Sequence, residues 1–166
     1  MQQLILIAHN VRSTHNVGSL LRTAEGLGLT KVILTGYTPY PLTQPDTRLP
    51  HQARKLDAQI VKTALGAEKS LAWEHAEAIE PVMTQLQEEG YAVYALEQTA
   101  AAIALPQFTP PDKLALIVGR EVEGIEPEIV ALCDGSVEIP MLGEKESFNV
   151  VQAAAMALYH CRYTPL

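Results

Sequence analysis

The sequence predicts a single α/β domain built on a mostly parallel sheet flanked by helices. Three observations point there. Short apolar runs of strand length recur along the chain, at Leu4–Ala8, Lys31–Thr35, Tyr91–Leu96 and Leu114–Val118, as strands buried on both faces read. Stretches with helical spacing lie between them and give the strand–helix–strand rhythm of parallel layers. No linker or internal repeat divides the 166 residues, a length that one core can serve.

In chain order, Leu4–Ala8 is the first buried strand, followed by the polar loop His9–Asn16. A helical pattern then carries Leu20, Leu21, Ala24 and Leu27 on one side, with Gly26 and Gly28 near its end. Gly18 and Arg22, four residues apart, share a face of that helix, and free amides at its start beside an arginine would suit an anion. Lys31–Thr35 is the second strand. Residues 36–50 contain Pro39, Pro41, Pro45 and Pro50, which exclude a regular element and leave a long loop of the kind that often carries function. Ala53–Gly66 has weak helical character, and Leu71–Glu80 fits neither period, with Trp73 a packing anchor. Pro81–Glu89 is helical and stops at Gly90; Tyr91–Leu96 alternates as a strand. Ala100–Asp112 is a connection, and Leu114–Val118 a buried strand running into Gly119-Arg120-Glu121-Val122-Glu123-Gly124. A short helix starts near Glu126-Pro127, since proline suits a first turn. Ser136–Ile139 is the last strand. The final helix opens at Ser147 or Asn149, both capping residues, and is apolar around most of its circumference from Val150 to Tyr159, so it must be buried in the core or against another subunit.

Composition narrows the function classes. Hydrophobic residues make up 48% of the chain, but no apolar run is long enough to span a bilayer, and no charged-then-apolar leader opens it. Cys133 and Cys161 lack metal-ligand spacing and indicate a reducing, cytoplasmic setting. The five histidines also show no metal spacing, so no metal is expected. The net charge of −7 is unevenly spread: residues 1–62 carry seven Lys/Arg against three acids, and the rest carries five against sixteen. A nucleic acid responds to where positive charge sits rather than to the chain total, so the overall acidity does not exclude a nucleic-acid partner at the N-terminal third.

The motif chemistry is specific only in combination. Gly119-x-Glu121-x-x-Gly124 allows a tight turn and close backbone approach after a strand, but it is neither the dinucleotide fingerprint nor a phosphate loop. No serine sits in a G-x-S-x-G elbow. Three stretches together carry more. Asn16-Val17-Gly18 with Arg22-Thr23-Ala24, then Leu116–Ile125, then Ile139-Pro140-Met141 with Ser147-Phe148-Asn149-Val150 resemble, in order and spacing, the three motifs of the SpoU (TrmH-like) branch of the SPOUT RNA methyltransferases. Lys62–Glu68 is also similar to members of this branch. The third motif departs at two places, with Phe148 for the usual leucine and Val151 for a serine.

The resemblance implies a domain whose C-terminal part forms a deep trefoil knot, S-adenosylmethionine bound within the knotted loops, and a homodimer packed through the first and last helices. It implies methyl transfer to a ribose 2′-hydroxyl of tRNA or rRNA. Leu96, Gly119, Ile139, Met141 and Phe148 would line the cofactor pocket. Asn16, Glu121, Ser147 and Asn149 would orient the reacting groups, and Arg22 would act as base or as phosphate anchor. Recognition of RNA would fall to the catalytic domain itself, with the 36–50 loop as a candidate. Competing readings are a catalytically silent RNA-binding module of the same fold, a base-directed RNA methyltransferase, and a nucleotide-binding enzyme acting on a small molecule.

Overall fold

The computed structural model describes residues 2–164. Strand β1 (Gln3–His9) leads through Ser13 into helix α1 (Thr14–Gly26). The Ser13 side chain caps α1 by accepting the Asn16 N–H, so the polar loop ends earlier than its composition predicts. The chain continues through β2 (Lys31–Thr35), α2 (Pro50–Ala64), α3 (Ala67–Ser70), β3 (Trp73–Ala76) and α4 (Ile79–Glu88). It then forms β4 (Ala92–Leu96), the two-residue β5 (Ile103–Ala104), β6 (Lys113–Val118), α5 (Pro127–Leu132), β7 (Gly135–Glu138) and α6 (Val150–Tyr163).

All seven strands pair in parallel in the order β3-β2-β1-β6-β4-β7-β5. The chain winds outward from β1 through β2 to β3, then crosses to the other side, where β6 lies against β1 with Ile7 opposite Ile117 and Ala8 opposite Val118. Alternate residues of each strand feed two cores. Leu4, Leu6, Val32, Leu34, Leu114 and Leu116 pack beneath α1, α2 and α6. Ile5, Ile7, Ile33, Val93 and Ile117 pack beneath α4 and α5 through Ile79, Met83 and Ile129. Burial on both faces is why these strands read as continuous apolar runs.

α1 and α2 approach closely because residue 18 is glycine: a Cβ there would overlap Thr63 Oγ1 and the Ile60 carbonyl. Thr63 Oγ1 donates to the His15 carbonyl at 2.8 Å and fixes the same crossing.

The proline-rich 36–50 segment is pinned rather than free. Arg48 donates to the carbonyls of Tyr40 (2.8 Å) and Pro41 (2.9 Å) and to both oxygens of Asp46. Its guanidinium stacks 3.6 Å from the Tyr40 ring centroid, and Tyr40 stacks on His75. That commits Arg48 to holding the loop and removes it from the free basic groups of the N-terminal third.

Within the protomer the last helix is buried on one side only. Ala154, Ala157, Leu158 and Cys161 are in the core, whereas Met156, Tyr159 and Tyr163 are exposed. Alanine at 153–155 makes the helix apolar by count while only one side is packed. No helix among the described residues is long and apolar enough to cross a membrane.

Candidate active site

A pocket opens at the carboxyl ends of β4, β6 and β7, beside the β1–β6 junction where the chain changes direction and ligands of open α/β sheets bind. Its apolar wall brings together Leu96, Ile139, Met141 and Phe148, with Val118 and Val137 behind them. Gly119, Glu121 and Ser147 also line the pocket, so seven of the residues singled out from the sequence, from three separate segments, meet in one place.

The loop after β6 is closed on itself. The Arg120 and Gly124 backbones exchange hydrogen bonds of 3.3 and 3.2 Å, and Arg120 Nε donates to the Gly124 carbonyl at 3.1 Å. Gly124 has φ +70° and presses against the Glu97 carboxylate, which a Cβ would strike. At Gly119 a Cβ would lie 2.6 Å from Ile125 Cγ1 and 2.8 Å from the Ile125 nitrogen, so glycine is required here by the loop's own folding back.

Two residues that the motifs did not bring out tie the pocket together. Glu97 accepts the Ile125 N–H at 2.9 Å and holds the loop after β6. The next residue, Gln98, donates to the Glu146 carbonyl at 3.0 Å and holds the loop before α6. Their place at the end of β4 was the available signal, because that is where ligand-facing residues lie in such sheets.

Glu121 faces the pocket and accepts from the Asn16 side chain at 3.2 Å and the Ser13 N–H at 3.3 Å. Burial pushes its carboxyl up, but hydrogen bonds from its own backbone, from Asn16 and from Ser13 outweigh that and hold it below the usual carboxylate range. Behind the loop, the Asn10 amide donates to Glu126 Oε1 at 3.0 Å and His9 Nε2 lies 3.2 Å from Glu126 Oε2. Burial keeps the His9 pKa low despite that carboxylate. Asn149 caps α6, accepting the Val151 N–H at 2.9 Å, which settles where the last helix starts.

Arg22 is placed elsewhere. α1 begins at Thr14, so Arg22 lies more than two turns in and not beside the free amides of the first turn. Six residues of helix set it about 120° around α1 from Asn16. It lines a separate groove with Ser19, Thr23, Lys62, Thr63 and Leu65.

A sequence profile described as the SpoU rRNA Methylase family matches residues 3–159. The chain belongs to that family. It is 30% identical over 156 residues to the 23S rRNA (guanosine-2′-O-)-methyltransferase RlmB of Xanthomonas axonopodis pv. citri, covering 94% of this chain and 57% of that protein. It is 29% identical to the tRNA (guanosine(18)-2′-O)-methyltransferase of Thermus thermophilus, over 96% of this chain and 74% of that one. This family member thus spans little more than half the length of the RlmB relative. Among solved structures, the SpoU methyltransferase AviRb from Streptomyces viridochromogenes superposes with a TM-score of 0.81 at 22% identity, over 98% of this chain and 60% of that chain. A structure described as giving insight into 2-OH methylation of C/U34 on tRNA superposes at 0.78 with 21% identity, over 96% of this chain and 94% of that one. Both share this chain's α/β fold.

Proposed function

We propose that residues 1–166 form one methyltransferase domain that uses S-adenosylmethionine to methylate a ribose 2′-hydroxyl in tRNA or rRNA. The charge of the pocket carries this reading. Glu97, Glu121, Glu123, Glu138 and Glu146 surround an apolar slot that contains one cation, Arg120. Such a site repels the phosphates of a nucleotide and attracts a ligand with an apolar ring and positive charge, as in a sulfonium with an α-ammonium group. That disfavours the small-molecule nucleotide enzyme. Membership of the family and the names of the RlmB and tRNA guanosine-18 relatives support the ribose and the RNA.

The residues fit the cofactor: Leu96, Ile139, Met141 and Phe148 offer the adenine an apolar slot, and the tight turn at Gly119 leaves backbone groups facing it. Phe148 takes its place in that wall, so the departure from leucine keeps the pocket apolar. Bound there, S-adenosylmethionine supplies an electrophilic methyl group. The protein's task is then to hold a ribose oxygen in line and stabilise the charge it develops. Glu121 is a poor proton acceptor because its carboxyl is held low, and it serves to fix Asn16 at the pocket rim. Ser147, which also lines the pocket, completes the orientation of the reacting group, while Asn149 sets the start of α6. A guanidinium keeps its proton at neutral pH, so Arg22 anchors phosphate and stabilises alkoxide rather than acting as the base.

Arg22 lies outside its own protomer's pocket, which favours a homodimer in which one copy presents Arg22 to the pocket of the other. The exposed Met156, Tyr159 and Tyr163 face of α6 supports that contact. The same reading makes the loops after β6 and β7 the walls of a deep trefoil knot. In its support, α6 returns from the β7 side to pack on α1, and Arg162 donates to the carbonyls of Gln2, Leu27 and Gly28. An RNA substrate and the two cysteines without metal-ligand spacing support a cytoplasmic setting.

The test is transfer of labelled methyl from S-adenosylmethionine to total tRNA and rRNA, with mass analysis of the digested nucleosides. A 2′-O-methylnucleoside is expected. A methylated base would make the enzyme base-directed, and cofactor binding without transfer to any RNA would make it a silent module.

A further inference from the structure

We infer that the groove between α1 and α2 is a phosphodiester-binding site in which Lys62 is the partner of Arg22, continued along α2 by Lys55 and His51. The inference rests on the RNA methyltransferase reading and extends it to residues outside the three motifs.

The groove is lined by two cations, Arg22 and Lys62, and three hydroxyl groups, those of Ser19, Thr23 and Thr63, with no carboxylate among its lining residues. Strong donors without an acidic neighbour are the composition that a phosphate requires. It is the opposite of the acid-rich cofactor pocket. The two cations share one opening because Gly18 lets the helices meet, so α1 and α2 offer their charges side by side.

On α2, His51, Lys55, Ala58 and Lys62 recur at i, i+4, i+7 and i+11 and form one exposed stripe. The stripe rises about 16 Å, over which a nucleic-acid strand presents several phosphates. Asp57, the only acid of α2, is drawn to the other side, where it accepts the Leu42 N–H at 2.9 Å. Among the described residues, Arg22, Lys55 and Lys62 take part in no ion pair, whereas Arg48 is locked to Asp46 and Lys31 to Glu74. Of the five cations of residues 1–62 outside these ion pairs, Arg22, Lys55 and Lys62 lie on this flank, Arg54 is the neighbour of Lys55 on α2, and Arg12 sits apart over the Tyr37 ring. α1 also joins the groove to the candidate active site, since its first turn carries the Asn16–Glu121 contact. In a dimer that uses Arg22 at the partner's pocket, a phosphate in this groove would flank the ribose being methylated.

The experiment is fluorescence anisotropy of a labelled short RNA hairpin and of total tRNA, titrated at several salt concentrations. The proteins are wild type, Lys62→Glu, Lys55→Glu, Lys62→Arg and the control Lys113→Glu at the amino end of β6. Calorimetry with S-adenosylhomocysteine runs alongside. Lys62→Glu and Lys55→Glu should bind RNA more weakly, with the log–log salt slope reduced by about 0.7–0.9 for each lost contact. Lys62→Arg should retain the wild-type slope, Lys113→Glu should stay near wild type, and S-adenosylhomocysteine affinity should be unchanged throughout. Wild-type affinity and slope in Lys62→Glu and Lys55→Glu would overturn the groove while leaving the RNA reading intact. An equal loss in Lys113→Glu would also overturn it, by reducing the effect to net charge. No binding of either RNA by the wild type would instead bring down the RNA reading itself.

Discussion

The side-chain amide of Asn16 donates to Oε1 of Glu121 at 3.2 Å, tying the first helix to the loop after β6 across 105 residues of sequence. One contact thereby couples the first motif to the second. Glu121→Gln keeps the shape but loses the charge, and methyl transfer should fall about ten- to a hundredfold, the worth of a hydrogen bond to an ionised group.

The same carboxylate should leave a mark on stability. Its folded pKa lies below its unfolded one, so its contribution is full above the ordinary carboxylate range and is lost as pH falls through the folded value. Urea midpoints measured from about pH 7 down to about pH 3 should fall more steeply for wild type than for Glu121→Gln. Parallel curves would remove Glu121 from the account.

Gly119→Val should weaken S-adenosylhomocysteine binding by about tenfold or more, because the added methyls collide with Ile125 and force the pocket loop outward. Gly119→Ala should lie between it and wild type. Wild-type affinity in the valine variant, by calorimetry, would place the cofactor elsewhere.

Arg22→Ala should fold and bind the cofactor normally, since Arg22 is exposed and outside its own pocket. Its methyl transfer should drop by about two to four orders of magnitude, the range for losing a charge-stabilising group. Partial activity in Arg22→Lys would fit an electrostatic anchor, and very low activity would fit bidentate positioning. Full activity in the alanine variant would remove Arg22 from the site.

A dimer built on α6 should depend on Met156, Tyr159 and Tyr163. The sequence alone would put Val150, Ala154 and Leu158 in that contact, but Ala154 and Leu158 are already buried within the protomer. Tyr159→Glu combined with Met156→Glu should shift sedimentation from dimer to monomer with little loss of Tm. A monomeric wild type would end the two-copy site.

Legibility in the sequence follows burial. β1, β2 and β6 read clearly because both faces are covered and the residues between their ends are apolar. β3 did not, because Trp73–Ala76 is an edge strand with its side chains partly in solvent. α2 begins at Pro50, three residues before its pattern shows, since proline is tolerated at a helix start. The pocket wall was legible because motif residues reach it largely through strand ends and glycine turns, which are local features. Arg22 was harder: its motif spacing is one-dimensional, whereas its direction depends on where α1 starts. The charge tally likewise counted Arg48 among the available cations, and only the Tyr40 stack and the Asp46 pair show that it is engaged.

The strand order has a consequence for how the protein is made. β1, β2 and β3 can pair as they emerge, since each lies beside its predecessor. β4 pairs only with β6 and β7, both synthesised later. Until the ribosome has delivered Lys113–Val118, the nascent chain holds the Tyr91–Leu96 segment without a partner, its apolar side and backbone open to solvent. Productive folding of the half that carries the pocket must therefore wait for the last third of translation. During that interval the growing polypeptide exposes the kind of unpaired strand that chaperones engage and that aggregates when they do not.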